Sequence, residues 1–436
     1  MNLHEPCIRV EQVLQHLPAE GLFRAAGLPW LISPTPLRLS PALRLKMERL
    51  GRVLAAFQDA SHALYRRSAS GKEFPWLAKA LDAGKPDWLV ACQRSKAMGQ
   101  AAPRVIRPDL LLQQDTFALS ELDSVPGGMG ITHFLNSLYA AAGFDELIGG
   151  AAGMLKGFQC AYPEGRAIAI SEESSDYEPE MRYFAHELGA GYRCVKAEEL
   201  DGQEEQEPLY RFFELFDTEQ IPAARPLLER CANGGLALDP PPIPHLEEKA
   251  WLALFHQPAL QSWWRQNLRG THREILQELI PHSWLLDATP LPPHAVLPWL
   301  NLNSWQDVGQ LSQKERRLVL KISGFNEQAW GARGVYIGHD MPAAEWRQRI
   351  QEALDAQDQQ CWVMQDFKEG LIIQHPYYDR ETGEIKSMRG RVRLCPYYFR
   401  SPDGKQCQLG GCLATIVPAD KKKIHGMRDA ILVPCM

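Results

Sequence analysis

Apolar residues recur at helical spacing over the first 95 residues of the chain. The clearest stretch is LSPALRLKMERLGRVLAAFQDASHALYRR, in which Ser40 and Pro41 have the character of an N-cap and a first helical position. The pattern changes near residue 96, where VIRPDLLLQQDTFALSELDSV predicts two strands joined by a polar turn at residues 114–116. Gly127 and Gly128 end this run, and THFLNSLYAAAG predicts a helix after them.

Residues 155–240 alternate between predicted strands and predicted helices. GRAIAIS is typical of a short buried strand, SSDYEPEMRYFAHELGAG of a helix that ends at glycine, and YRCVKAEEL of a second strand. Strand, helix and strand at this spacing predict a βαβ layer with a parallel sheet. No GxGxxG follows the first strand, so this layer is not predicted to bind a dinucleotide.

A proline-rich connector, LALDPPPIPHLEEK, predicts a domain boundary near residue 240. The segment after it has helical periodicity and many tryptophans, and aromatic residues at this spacing indicate a core rather than a ligand platform. RRLVLKISG then starts a module with a glycine-bearing loop, the helix PAAEWRQRIQEALDAQ and the strand QCWVMQDF. These changes of pattern divide the chain into residues 1–95, 96–150, 151–240, 241–317 and 318–436.

Composition narrows the class of protein. The 436 residues exceed the size of one hydrophobic core, and 45% hydrophobic with 23% charged residues is typical of a multidomain globular enzyme. A net charge of −6 disfavours a nucleic-acid binder, and we see neither a leader pattern nor an apolar run of about 18 residues. The ten cysteines lack zinc-site spacing, so we expect reduced thiols in a cytoplasmic protein without membrane or nucleic-acid partners. The oligomeric state is not indicated.

Three carboxylates on the two strands after residue 96 are candidates for a metal site. Asp109 lies on the first strand, and Glu121 and Asp123, two positions apart on the second, share a face. If the strands pair, all three converge, and their oxygen atoms suit Mg²⁺, which also takes ligands from substrate phosphates. Pairing of these acids with Arg107 on a solvated face explains the spacing equally well.

Lys321 and the glycines after it are candidates for phosphate binding. Lys321 ends an apolar strand and is followed by Gly324, Gly331 and Gly334, which would let the backbone approach phosphate oxygens. The segment is not a Walker sequence, because no GKS/T follows its glycines. A flexible glycine loop unrelated to phosphate is the alternative.

A third candidate is the end of the strand in CWVMQDFKEG. Gln365, Asp366 and Phe367 would present backbone groups to an adenine edge and a carboxylate to a ribose. A strand that leaves the core for solvent has the same pattern, and on this segment alone that interpretation is favoured.

The order of these segments adds a resemblance. Arg107-Pro108-Asp109, followed after about a dozen residues by Glu121-Leu122-Asp123-Ser124-Val125-Pro126-Gly127, resembles the metal-binding segment of the ATP-grasp superfamily. That segment ordinarily follows the lysine strand and the adenine hinge, and here it precedes them by about 200 residues. The arrangement is similar to circularly permuted ATP-grasp proteins, the group that includes glutathionylspermidine synthetase-like ligases. The implied fold is α+β (α/β), a permuted ATP-grasp with a Rossmann-like pre-grasp layer and an N-terminal helical region.

The resemblance implies an ATP- and Mg²⁺-dependent ligase that joins a small-molecule or peptide carboxylate to an amine through an acyl phosphate. LEEKAWLALFHQP resembles the region of the first ATP-binding lysine, which would be Lys249, with Lys321 as the second. Arg391 and Arg393, on one strand face, are candidates for an acidic substrate. The implied roles of the other residues are metal binding by Asp109, Glu121 and Asp123, phosphoryl stabilisation by Arg107, and nucleotide binding by Lys249, Lys321, Gly331, Arg333, Gly334, Gln365, Asp366 and Phe367.

Two residues depart from the pattern of the group. Asp123 stands where Asn is usual, and Asp366 stands where the hinge usually has Glu. No signature specific for glutathione or a polyamine is present, and residues 1–95 resemble no family. A small-molecule kinase on the same fold and a non-catalytic nucleotide-binding scaffold are the alternative functions.

Overall fold

The structure of the chain is a computed structural model, in which two compact units are found. The described residues are 7–23, 30–123, 125–202, 206–329, 333–422, 424 and 429–436. The larger unit consists of Met1–Phe57, Ser95–Pro242 and Glu369–Met436, and the smaller unit of Gln58–Arg94 and Ile243–Lys368.

Helices α1 to α4 open the described part of the chain, strands β10 to β14 close it, and the part between them mixes helices and strands. The α-helices are α1 (Val10–His16), α2 (Pro41–Ala69), α3 (Pro75–Asp82), α4 (Asp87–Arg94), α5 (Met129–Ala141), α6 (Gly153–Ala161), α7 (Glu178–Leu188), α8 (Ala224–Ala232), α9 (Ala250–His256), α10 (Gln261–Asn267), α11 (Gly270–Leu279), α12 (Trp305–Gln310) and α13 (Ala343–Asp355). The strands are β1 (Val105–Leu112), β2 (Phe117–Asp123), β3 (Arg166–Ile170), β4 (Tyr192–Lys196), β5 (Leu209–Phe212), β6 (Leu238–Asp239), β7 (Ser283–Leu285), β8 (Leu318–Ile322), β9 (Val335–Ile337), β10 (Trp362–Asp366), β11 (Ile372–Asp379), β12 (Glu384–Arg400), β13 (Cys407–Pro418) and β14 (Ile431–Pro434).

The larger unit is built around a six-stranded antiparallel sheet. Its strand order is β14-β13-β12-β1-β2, and β11 also pairs with β12. The long strand β12 pairs with β13 along one edge, and along its other edge its first half pairs with β11 and its second half with β1. The hairpin β1–β2 and the C-terminal strands therefore share one sheet, although most of the chain separates them.

Helix α6 and the turn before it, which contains Gly149, pack closely against this sheet. A Cβ on Gly149, which has a positive φ of 80°, would lie 1.8 Å from the carbonyl oxygen of Gly410 on β13. Only glycine permits both the left-handed backbone and this approach of two backbones. The rings of Phe158 on α6 and Phe399 on β12 fill the space beside this contact.

The second sheet of the larger unit is the predicted βαβ layer. Its order is β4-β3-β5-β6, and all three pairings are parallel. Helix α7 connects β3 to β4 and ends at Gly189, whose φ is 85°. All five residues of β3 are buried, as expected for a parallel strand that is covered on both faces.

The smaller unit contains a four-stranded antiparallel sheet with the order β7-β10-β8-β9. Its core includes Trp284, Leu320, Trp346 and Met364. The tryptophans between residues 245 and 290 that we assigned to a core are buried, which confirms that interpretation: Trp251, Trp263, Trp264 and Trp284.

The mixed α/β class and the parallel layer are confirmed, and the permuted ATP-grasp arrangement stays a prediction. The proline-rich connector lies where the chain passes from the larger to the smaller unit, between Pro242 and Ile243. The division between Phe57 and Gln58 lies inside α2, so residues 1–95 contribute to both units. Among the described residues, no helix is long and apolar enough to cross a membrane.

Candidate functional site

The hairpin β1–β2 places Arg107 and the three candidate carboxylates on one face of the sheet. Arg107 lies directly opposite Asp123, and Asp109 lies opposite Glu121. Residues that are directly opposite in an antiparallel pair point to the same face. We use the name acidic cluster for Asp109, Glu121 and Asp123.

A β-bulge at Ser120 creates this arrangement. Closer to the turn, Leu110 pairs with Leu119 and Leu112 with Phe117, and the register shifts between Asp109 and Leu110. Without the extra residue, Glu121 and Asp123 would alternate to the face opposite to Asp109. The hydroxyl of Ser120 donates to the carbonyl oxygen of Asp109 at 3.0 Å, which holds the bulge in place.

Arg107 binds both ends of the acidic cluster. Its Nη2 lies 3.1 Å from Oδ1 of Asp109 and 2.8 Å from Oδ2 of Asp123. Its Nη1 donates to the carbonyl oxygen of Gly127 at 3.2 Å, and its buried Nε has no partner among the described residues. The pairing of Arg107 with Asp123 that we considered at the sequence level is present, and both side chains are largely buried.

Arg393, from β12, completes the charge arrangement. It lies opposite Leu111 rather than opposite Asp109, and its Nη1 reaches diagonally to Oδ2 of Asp109 at 2.9 Å. The thiol of Cys395 donates to Oδ1 of the same carboxylate at 3.4 Å. Asp109 is thus held by β12 as well as by Arg107, across 284 positions of sequence.

Burial and charge act in opposite directions on these groups. Burial disfavours the charged form of Arg107, but Asp109 and Asp123 raise its pKa well above the ordinary value. Burial also raises the pKa of Asp123, and Arg107 partly opposes this shift. For Arg393, Asp109 outweighs burial and raises the pKa. Both guanidinium groups are therefore permanently charged partners of the acids.

Glu180, at the start of α7, is a buried carboxylate that sequence reasoning missed. Its oxygens accept the backbone N–H groups of Gly128 at 2.6 Å and Ile131 at 3.2 Å, which open helix α5. Burial raises its pKa to about 7, against these two hydrogen bonds. The N–H groups at a helix start need acceptors, but nothing in the sequence says that a residue 52 positions away from Gly128 supplies one.

The donor chemistry of the acidic cluster suits Mg²⁺, since all three residues offer hard oxygen ligands. In the described residues, however, no group of three or more His, Cys, Asp or Glu side chains is arranged to hold a metal ion. Asp109 and Asp123 contact arginines, and Glu121 faces Asp109 through the register of the strands. The cluster has oxygen ligands suited to a cation, and Arg107 contacts Asp109 and Asp123 while Arg393 also contacts Asp109.

In the smaller unit, Lys321 and Gln365 are brought together. Both are buried on neighbouring strands, β8 and β10, and Nζ of Lys321 donates to Oε1 of Gln365 at 2.8 Å. The amide of Gln365 in turn donates to the hydroxyl of Ser283 on β7 at 3.0 Å. A residue predicted to bind phosphate and a residue predicted to bind adenosine are thus joined in one row of hydrogen bonds across the sheet.

Lys249 reaches the loop that follows β8. Its backbone N–H donates to the carbonyl oxygen of Ser323 at 3.0 Å, and its Nζ donates to that of Ala329 at 3.3 Å. Lys249 therefore lies beside the glycine loop, 80 positions from Ala329. The sequence suggested this only through the resemblance.

Gly334, at the end of this loop, makes a close contact with the backbone. Gly334 is buried, and its N–H donates to the carbonyl oxygen of Gln328 at 2.6 Å. A Cβ there would lie 2.8 Å from the same oxygen, so the close approach requires glycine. Arg333 is exposed. Gly331 lies outside the described residues.

At the end of strand β10, the backbone N–H groups of Asp366 and Phe367 are hydrogen-bonded to other parts of the chain. The backbone N–H of Asp366 donates to the carbonyl oxygen of His282 at 2.8 Å, and the backbone N–H of Phe367 donates to the carbonyl oxygen of Arg317 at 2.9 Å. Both N–H groups are thus bound within the chain, and the seating of adenosine by these residues stays a prediction. Burial raises the pKa of the Asp366 carboxyl, and Lys368 and His282 oppose the shift.

Arg391, the second candidate for an acidic substrate, is bound to the chain itself. Its guanidinium donates to the carbonyl oxygens of Ala419 at 2.9 Å and Gly370 at 3.1 Å and to Glu369 at 3.1 Å. Arg391 and Arg393 share a strand face as predicted, but only Arg393 touches the acidic cluster. Arg391 connects β12 to the segment before β11.

A cavity of about 760 Å³ also lies within the smaller unit. It is lined by parts of α3 and α4 and by residues near 285–289 and 357–361. None of the predicted nucleotide-binding residues lines it, so the cavity adds nothing to the candidate site.

Comparisons with known proteins bear on the fold. No protein-family model matches the sequence, and no curated protein matches it. Among solved structures, a gamma-glutamylcysteine synthetase candidate from Methylobacillus flagellatus shows a TM-score of 0.36 at 10% identity, covering 83% of each chain, which is too low to carry an argument. A glutathione synthetase-like effector from Globodera pallida, solved in its apo form, gives a TM-score of 0.56 at 11% identity and covers 99% of this chain and 97% of its own. The chain therefore shares its fold, over nearly its whole length, with a glutathione synthetase-like protein.

Proposed function

We propose that the protein is an ATP- and Mg²⁺-dependent ligase that joins a carboxylate to an amine through an acyl phosphate. The observation that carries this proposal is the register of β1 and β2. It sets Arg107 opposite Asp123 and Asp109 opposite Glu121, on the face that Arg393 also reaches. Three acids and two arginines on one largely buried face are suited to binding a cation and phosphate oxygens together.

The fold supports the same class of reaction. The solved structure that the chain resembles over nearly its full length is described as glutathione synthetase-like. We carry over to this chain only the reaction class, a ligation, and not the substrates. The identity of the acid and of the amine stays open in the proposal.

In the larger unit, the acidic cluster would hold Mg²⁺, which supplies neutralisation of the β- and γ-phosphate charge when bound. Arg107 would leave part of its contact with Asp123 and stabilise the transferring phosphoryl group. Arg393 is the better placed of the two arginines for an acidic substrate, because Arg391 is bound to backbone carbonyls. The proposal therefore requires one conformational step, in which bound Mg²⁺ takes the place of Arg107 beside the carboxylates.

In the smaller unit, Lys249 and Lys321 would neutralise phosphate oxygens of ATP. Both side chains are largely buried beside strand β8 or the loop after it, where a cation gains more from an anionic ligand than it would in water. Gly331, Arg333 and Gly334 would cover the phosphates, and Gln365, Asp366 and Phe367 would seat the adenosine. The hydrogen bond from Lys321 to Gln365 would exchange for one to the nucleotide.

The chemistry follows from position and charge. The substrate carboxylate attacks the γ-phosphorus, ADP leaves, and an acyl phosphate forms. The amine then attacks the acyl carbon, inorganic phosphate leaves with the bonding electron pair, and the amine loses a proton. No covalent bond to the protein is needed, so the residues serve to align the groups and neutralise charge.

The test begins with thermal unfolding of the protein with and without Mg²⁺ and ATP. Release of ADP is then measured against pools of amino acids, peptides and amines, and the product is identified by mass spectrometry. We expect stabilisation by Mg²⁺-ATP together, and an amide product from one pool. A stable phosphorylated product in place of the amide would establish the kinase alternative. Absence of both stabilisation and ADP release would refute the proposal.

A further inference from the structure

A buried ion pair in the smaller unit lies next to the proposed nucleotide residues. Nζ of Lys85 lies 2.5 Å from Oε1 of Glu248, and both side chains are almost completely inaccessible to solvent. Lys85 also donates to the carbonyl oxygen of Leu81 at 2.6 Å. Oε2 of Glu248 is buried and has no hydrogen-bond partner among the described residues. Lys85 is thus the principal compensation of this buried negative charge.

The side chain of Glu248 packs against the first residues of the loop after β8. A Cβ on Gly324 would lie 3.0 Å from Cδ and 3.1 Å from Oε2 of Glu248, so the carboxylate packs directly on this glycine. The next residue, Phe325, has a positive φ of 44°, and the ammonium group of Lys85 lies 5.5 Å from the centre of its ring. The ion pair therefore touches both residues at which the loop turns away from the strand.

The same loop start is tied to Lys249. The carbonyl of Ser323 accepts the N–H of Lys249, and its hydroxyl accepts the N–H of Ala250 at 2.8 Å. The amide of Gln360 donates to the carbonyl oxygen of Gly324 at 2.9 Å. A shift of Glu248 would move its neighbour Lys249 and the first residues of the loop together.

We propose that Lys85 is a positioning residue for ATP binding, which acts by holding Glu248 against Gly324 and so sets the place of Lys249. This inference rests on the proposed function, in which Lys249 contacts the phosphates of ATP. It also gives residues 58–94 a part in that function, because Lys85 precedes α4. A buried carboxylate without its cation draws in water or moves toward solvent, and either change displaces the loop start.

The experiment compares Lys85→Met with the wild-type chain and with Lys79→Met. Lys79 is an exposed lysine on α3 whose ion pair with Asp358 is solvated, so its removal controls for charge alone. Three quantities are measured: amide hydrogen exchange of peptides covering residues 319–329 without nucleotide, the KM for ATP, and the rise in Tm on adding Mg²⁺-ATP. We expect Lys85→Met to speed the exchange of the loop, to raise the KM about tenfold with kcat within about twofold, and to reduce the rise in Tm. Lys79→Met should change none of these.

A charge-neutral double variant, Lys85→Met with Glu248→Gln, tests the electrostatic reason. It keeps the shape of the side chain at Gly324 and removes the buried charge, so we expect the KM to return to within about threefold of wild type. If Lys85→Met does not fold, Glu248→Asp serves instead, since it keeps the ion pair but withdraws the carboxylate from Gly324, and it should raise the KM and the loop exchange.

Unchanged loop exchange in a folded Lys85→Met or Glu248→Asp protein would overturn the inference, whatever the activity. A defect in Lys85→Met that the double variant does not relieve would also overturn it, because the lysine would then act by packing alone. Failure of the proposed function is a separate result, since it would appear in the wild-type chain as no response to Mg²⁺-ATP while the loop exchange still responds to Lys85.

Discussion

The three carboxylates of the acidic cluster outnumber the two guanidinium groups at the same face. Arg107 contacts Asp109 and Asp123, and Arg393 contacts only Asp109. Carboxylates gathered on one largely buried face favour the binding of a cation. Glu121 lies opposite Asp109 on this face and is the residue at which we test cation binding.

Replacing Glu121 by Gln keeps the size of the side chain and removes its charge. We expect Mg²⁺-dependent ATP turnover to fall by about 100-fold or more, the scale on which loss of one electrostatic contact to a transition state acts. Turnover is measured by ADP release, and folding by the Tm. Glu384→Gln, at the exposed start of β12, is the matched control and should keep full activity. Full activity in Glu121→Gln would remove the residue from the metal site.

Lys321 offers a second test at the residue scale. Its ammonium group donates to Gln365 in a buried setting, so Lys321→Ala removes a charge from the proposed nucleotide site. We expect affinity for a non-hydrolysable ATP analogue to weaken by about 1–3 kcal/mol, the value of a charge-assisted contact. Isothermal titration measures this, with the exposed Lys314→Ala as control. Equal affinities of Lys321→Ala and wild type would contradict the assignment.

At the scale of elements, helix α5 depends on a carboxylate from another helix. Gly127 and Gly128 turn the chain from β2 into α5, and Glu180 from α7 accepts two N–H groups at the start of that helix. The partial positive charge of a helix start favours this carboxylate, while burial opposes it. The balance gives the pKa of about 7.

This pKa predicts a dependence of stability on pH. Because the folded pKa of Glu180 lies above its ordinary value of 4.5, the folded protein binds more protons than the unfolded chain between about pH 4.5 and 7. The free energy of unfolding should therefore fall as the pH rises through this range. In Glu180→Gln, which cannot ionise there, the fall should be smaller.

Urea unfolding of both proteins from about pH 5 to about pH 8 measures the difference. Glu219→Gln, at an exposed position, is the control and should follow wild type. Parallel curves for Glu180→Gln and wild type would show that Glu180 does not titrate in this range.

The hairpin β1–β2 shows how far local patterns reach at this scale. Alternation predicted both strands and the turn between them, and it placed Glu121 and Asp123 on a common face. It did not predict the bulge at Ser120, which decides whether that face is the face of Asp109. A bulge adds one residue to one strand without changing composition or periodicity appreciably, so the sequence carries no strong signal for it.

At the scale of the whole molecule, the first part of helix α2 belongs to the larger unit and its last part to the smaller unit. In the larger unit, the hydroxyl of Tyr398 donates to the carbonyl oxygen of Met47 at 2.6 Å. In the smaller unit, the indole N–H of Trp263 donates to the carbonyl oxygen of Ala60 at 3.2 Å. The N-terminal helical residues are therefore part of two cores, which explains why they form no separate domain.

A chain that begins at residue 96 should consequently fail to fold cooperatively. It lacks the buried side chains of α2 in both units, among them Leu50, Phe57 and Leu64, and it also lacks Lys85. We expect it to be poorly soluble or to melt without a sharp transition, and to show no stabilisation by Mg²⁺-ATP. Circular-dichroism melting of this chain and of the complete one is the measurement. A shared Tm and a shared response to nucleotide would contradict the prediction.

The sequence by itself determined most of the elements: the long helix opened by Ser40 and Pro41, the hairpin after residue 96, the βαβ layer and the strand of Lys321. These depend on the period of apolar residues and on caps and turns, which act over about ten residues. The resemblance added Lys249 as an ATP-binding residue, and the structure places its side chain beside the loop. Mg²⁺ and ATP binding stay predictions.

Only the tertiary structure decided which of these elements meet. It brought Arg393 to Asp109 across 284 positions, Glu180 to the start of α5, and Lys85 to Glu248 across 163 positions. It also bound Arg391 and the amides of Asp366 and Phe367 to other parts of the chain. Such contacts are set by strand register, by a single bulge and by the need of buried charges for partners. These conditions join residues that no local pattern connects.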